Sequence, residues 1–151
     1  MSTPTIHVFG NPDIAMDSLP LRMLPHLRKR FPDIHFVTLD PNEEWNILDP
    51  FVVIDTVLGQ SDVRLFRSLD EFDASPTVSV HDFDALFNLR YLAKLGKLKE
   101  VRVIGIPPEM PEEEAFTKTV ATIMNLPPLS VENQRRHSAP KLDVPTTPNS
   151  P

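Results

Sequence analysis

Asp17, Asp55 and His81 are residue types that bind metals and move protons, and each stands near the end of a strand-like run. In open α/β sheets, ligands settle outside the carboxyl ends of the strands. Asp17 lies in the turn after the apolar run Ile6 to Phe9, Asp55 directly ends Phe51 to Ile54, and His81 follows Val80 at the entry to a helical segment. All three are therefore expected on one rim. Each also has a structural reading: either acid suits a helix start, where caps and the positive dipole end favour it, and His81 suits helix entry. Spacing alone does not bring the three within bonding distance. His7 and His35 lie inside strand-like runs and read as structural, and His137 belongs to the carboxy-terminal stretch.

The chain has 151 residues and no cysteine, which excludes disulfides, thiolate zinc sites, iron–sulfur clusters and cysteine nucleophiles. Any metal must be held by imidazole nitrogen and carboxylate oxygen, with carbonyls or water. The glycines are Gly10, Gly59, Gly96 and Gly105, a spacing that excludes the dinucleotide fingerprint and the phosphate-cradling loop. Neither a His-Glu-x-x-His helix nor a Gly-x-Ser-x-Gly elbow is present. The net charge is −6, with 15 basic against 21 acidic residues, so no nucleic-acid partner is expected. No signal segment and no membrane-spanning stretch is read from the sequence, and a cytoplasmic protein is expected.

The positioning elements are read as follows. Ile6–Phe9 is a buried first strand closed by Gly10-Asn11. A helix follows with Leu19, Met23, Leu24 and Leu27 on one face, Ser18 as its cap, Pro20 in the first turn, and Pro25 kinking it or ending it early. Ile34–Leu39 and Phe51–Ile54 are strands, joined by a crossover with room for one turn near Trp45–Leu48. Shorter strands are expected at Val63–Phe66 and Val78–Val80. Asp82–Leu95 is an amphipathic helix capped by Gly96, and Val101–Ile106 is a central strand. Pro111 opens the last helix, with Phe116, Val120, Ile123 and Met124 as its core face. Residues 1–126 form one α/β domain, a mainly parallel sheet between helices. Six of the 17 prolines lie from Pro127 onward, and residues 127–151 are read as a disordered tail.

Three blocks, in order, carry a resemblance. Val8-Phe9-Gly10-Asn11-Pro12-Asp13-Ile14-Ala15-Met16-Asp17 resembles the first strand and Gly-Asn loop of the nickel–iron hydrogenase maturation proteases. Phe51 through Val57 is similar to their acidic strand end. Ser79 through Glu109 holds His81, Leu95-Gly96 and the run Val101-Arg102-Val103-Ile104-Gly105-Ile106-Pro107-Pro108-Glu109, similar to that family's Val-x-x-x-Gly-Ile-x-Pro strand. The resemblance spans Ile6 to Met124. It implies a three-layer α/β/α sandwich of phosphorylase/hydrolase-like type, with Asp17, Asp55 and His81 as both metal ligands and catalytic residues. Asn11 and Asp40 are implied to meet the substrate. The implied activity is removal of a carboxy-terminal extension from a nickel-loaded hydrogenase large-subunit precursor by a monomer, the nickel being the substrate's own. A non-enzymatic nickel-site checkpoint or chaperone is the alternative.

The chain also departs from that pattern. Met16 stands where the family has an acid beside the ligand, Ser18 and Pro20 replace glycines, and Pro41-Asn42 replace the glycines after Asp40. These changes gather around the expected rim, which points to retained ligands and remodelled substrate-facing loops.

Overall fold

The computed structural model describes residues 3–40, 45, 50–73, 79–80, 83–98 and 100–127. The described elements are strands β1 (Thr5–Val8), β2 (His35–Thr38), β3 (Phe51–Leu58), β4 (Arg64–Phe66), β5 (Ser79–Val80) and β6 (Val101–Ile106). The helices are α1 (Leu19–Arg30), α2 (Asp70–Asp73), α3 (Phe83–Lys94) and α4 (Glu112–Met124), with a 3-10 turn at Ala15–Asp17. The strand order is β2-β1-β3-β6-β4. β1, β2, β3 and β6 run parallel, β4 closes one edge antiparallel to β6, and β5 pairs antiparallel with the far end of β3.

Alternating side chains on the strands feed two apolar layers. Ile6, Val8, Val52, Ile54, Ile104 and Ile106 meet Leu19, Met23, Leu24 and Leu27 of α1 and Ala115 and Ile123 of α4. On the opposite face Phe9, Phe51, Val53, Val57 and Val103 pack with Leu89 of α3 and with Trp45. The result is the expected α/β fold, with helices on both faces of a mostly parallel sheet. Among the described residues no helix is long and apolar enough to cross a membrane.

Several local expectations are corrected. α1 continues through Pro25 to Arg30 rather than ending early, held by its buried stripe of Leu19, Met23, Leu24 and Leu27. Proline there removes the donor to the Leu21 carbonyl, so Pro25→Ala is expected to raise stability by about 1–2 kcal/mol, read from the urea midpoint. Ser18 occupies the cap position but does not cap, because its hydroxyl donates to the Ala15 carbonyl at 3.1 Å. Pro111 precedes α4 instead of opening it. The buried positions of α4 are Ala115, Thr119 and Ile123, one position every turn, which leaves Met124 exposed.

Gly96 ends α3 as expected. Its φ of +71°, with Gly96 N–H on Ala93 O and Lys97 N–H on Leu92 O, forms a Schellman turn. Leu95 lies in that turn and is exposed. The expected turn after Trp45 and the expected tail from residue 128 lie outside the described residues.

Candidate functional site

The strand order reverses between β1 and β3: β2 lies on one side of β1 and the rest of the sheet on the other. In open α/β sheets the crevice at such a reversal is where ligands bind. Asp17 and Asp55 flank this one.

Asp17 reaches it through a tightly folded loop. Beyond Val8 the chain stays on the sheet for one more bond, Phe9 N–H to Ile54 O at 2.9 Å, and then leaves it at Gly10. The Asn11 carboxamide oxygen accepts from Asp13 N–H at 3.0 Å, and Ile14 N–H donates to the Asn11 carbonyl at 3.2 Å. Asn11 N–H donates to the Asp17 carbonyl at 3.1 Å, which folds the 3-10 turn back over Gly10. A β-carbon at Gly10 would stand 2.8 Å from that carbonyl and 2.9 Å from Leu21 Cγ, so the close approach requires glycine. The turn thus delivers the Asp17 side chain to the sheet, buried at 6 % exposure.

Asp55 does not end its strand, contrary to the sequence reading. β3 continues through Thr56, Val57 and Leu58, because β6 pairs with it as far as Thr56 and β5 pairs with Val57 and Leu58. The rim is nevertheless real beside β1, whose last paired residue, Val8, stands opposite Ile54. Asp55 is 4 % exposed and lies in register with Gly105 of β6.

Thr56 connects the two acids. Its hydroxyl donates to Asp17 Oδ1 at 2.7 Å, and its backbone N–H donates to Asp55 Oδ1 at 2.8 Å. The pleat points Thr56 toward the α1 face with Val52 and Ile54, and Asp55 toward the opposite face with Val53 and Val57. Thr56 escaped the sequence reading. The available signal was a second polar residue inside an otherwise apolar buried strand, which needs a partner.

His81 lies outside the described residues, so the third candidate is not placed. The residue before it, Val80, pairs with Val57, two positions along β3 from Asp55. Asn11 spends its side-chain oxygen on shaping the loop. Asp40 follows β2, exposed, and its carbonyl accepts from Trp45 Nε1 at 2.8 Å. Ile14 and Met16 are exposed on the loop that carries Asp17. Among the described residues, no three His, Cys, Asp or Glu side chains converge as a metal-binding group.

Thr56 thus donates one hydrogen bond to each of two buried carboxylates, groups that are costly to bury without such donors. No protein-family model, curated protein or solved structure matches this chain.

Proposed function

We propose that the protein is a cytoplasmic, nickel-dependent maturation endopeptidase that trims the carboxy-terminal extension of a hydrogenase large-subunit precursor. The observation that carries the reading is the joining of Asp17 and Asp55 through Thr56 at the β1/β3 reversal. The ordered resemblance in sequence supports it, as does the entry of the chain into residue 81 from a strand laid against β3. Asp17, Asp55 and His81 would read the nickel that the precursor carries. Two carboxylates and an imidazole suit a borderline cation and leave coordination positions to the precursor's own ligands. The nickel supplies Lewis acidity toward a carbonyl or a bound water. The chain's share is orientation: Thr56 holds both carboxylates in place, and one of them accepts the proton from the attacking water.

Incubation with nickel-loaded precursor is expected to shorten the precursor, and Asp17→Ala or His81→Ala is expected to slow this by more than about 100-fold. Cleavage that persists in both variants would sink the assignment. A second reading, a nickel-site checkpoint that binds the loaded precursor without cutting it, is favoured by Met16, an exposed thioether beside Asp17 where the resembled family carries an acid. Tight binding with no shortened product would decide for that reading.

A further inference from the structure

A further polar group stands on the face of the sheet to which Asp55 points. β3 ends at Leu58, Gly59 turns the chain with a φ of +87°, and Gln60 follows. Because β6 lies between β3 and β4 in the sheet, the connection from Gly59 to Val63 crosses the carboxyl end of β6. Gln60 hooks that crossing onto β6: its Nε2 donates to the Gly105 carbonyl at 2.7 Å.

Gly105 makes this reach possible. A β-carbon there would stand 3.0 Å from Gln60 Nε2 and 2.9 Å from Val57 Cγ2, so the missing side chain leaves the notch that the carboxamide fills. Gly105 is in register with Asp55 of the parallel strand β3, and residues in register project on the same face. Val57, two positions on from Asp55, packs with Phe51 and Val53 on that face. The Gln60 carboxamide and the Asp55 carboxylate therefore share one face. Adjacent strands are about 4.8 Å apart, which keeps Nε2 within about 8 Å of the Asp55 β-carbon.

The hydrogen bond to Gly105 also fixes which way the amide lies. A carbonyl only accepts, so the NH2 group faces Gly105 and Oε1 faces away from it. Oε1 is buried, and among the described residues no donor reaches it. A buried acceptor without a donor is costly, and here the donor must be small, since Gln60 is only partly open to solvent. Water is such a donor. Carried by a cation on Asp55, it spans the gap: metal–oxygen bonds of about 2 Å and a hydrogen bond of about 2.8 Å reach up to about 7 Å.

We propose that Gln60 is a positioning residue of the metal site, its Oε1 accepting a hydrogen bond from a water carried by the cation on Asp55. The inference rests on the proposed reading of Asp55 as a metal ligand and adds a residue to it. The bond holds that water in one orientation, which hydrolysis requires, and tightens the hold of the site on the cation.

The test titrates the full chain with Zn2+, a diamagnetic probe. The side-chain carbonyl resonance of Gln60 is followed by NMR together with the amides of Asp17, Asp55 and Thr56. The Gln60 signal is expected to shift and to saturate at the same Zn2+ concentration as the three amides. Gln60→Met keeps the length of the side chain without its carboxamide and is expected to weaken Zn2+ binding by about 10-fold or more. Gln60→Asn keeps the carboxamide but loses a methylene of reach, and a comparable loss is expected; it carries the comparison if Gln60→Met does not fold. Amides that saturate while the Gln60 carbonyl stays still, or undiminished binding by the variants, would overturn the inference and leave the reading of Asp55 in place. No saturable shift at any of the four positions would overturn both.

Discussion

Thr56→Val is expected to lower stability by about 2–3 kcal/mol, although valine fills nearly the same space as threonine. The substitution removes the hydroxyl that donates to Asp17 Oδ1 at 2.7 Å and leaves the backbone N–H on Asp55 intact. Asp17 is 6 % exposed, so water cannot readily replace the lost donor, and a buried acceptor left without one suffers the larger loss. Thr56→Ser keeps the hydroxyl and is expected to retain most of the stability, less the loss of one buried methyl. A double-mutant cycle of Thr56→Val with Asp17→Asn isolates the pair, with an expected coupling of at least about 1 kcal/mol. Urea denaturation reads all of these. A valine variant within about 0.5 kcal/mol of the parent would show that the bond does not hold Asp17 in place.

Acid is expected to destabilise the fold through His7 by about 3 kcal/mol between pH 6.5 and pH 4. His7 sits in β1 at 5 % exposure, stacked on Phe51 with ring centroids 4.4 Å apart, and among the described residues its Nδ1 finds no hydrogen-bond partner. Burial is the main cause that pushes its pKa down to about 4; the backbone hydrogen bond at Val52 works in the opposite direction, and the charge of His35 adds to the lowering. The sign follows from proton binding. Below pH 6.5 the unfolded chain takes up a proton that the folded one refuses until about pH 4, so stability is full above 6.5 and falls as the pH drops through that window. His7→Phe keeps a ring on Phe51 and removes the titration. Denaturant midpoints measured from pH 7 to pH 4 are expected to fall more steeply for the parent than for the variant. Parallel curves would contradict the assignment to His7.

The sheet was legible because its central strands read as mainly apolar runs, Phe51–Ile54 unbroken and Val101–Ile106 interrupted by Arg102 and Gly105, and because apolar residues at helical spacing marked α1 and α3. What stayed hidden depended on partners distant in sequence. Nothing local indicated that β3 would run on past Asp55, since that extension comes from pairing with β6 and with the short β5. Pro25 argued for a shorter α1, yet burial of Leu24 and Leu27 outweighs the missing donor. The candidate site was legible as two acids on one rim. The tie between them was not, because the Thr56 hydroxyl meets Asp17 only after the loop from Gly10 to Ser18 has folded back across 39 residues of chain separation. His7 read as an ordinary strand histidine; its lack of a partner at Nδ1 is a tertiary fact.

The central claim is that Asp17, Asp55 and His81 read one metal ion at the β1/β3 reversal. The most direct test is paramagnetic broadening by Ni2+, followed in the NMR spectrum of the full chain. The claim predicts that the His81 imidazole and the amides of Asp17, Asp55 and Thr56 broaden together at the same low metal concentration, and that Asp17→Asn suppresses the effect at all of them. It would be contradicted if broadening appeared only at surface histidines such as His35, with His81 and the two acids unchanged.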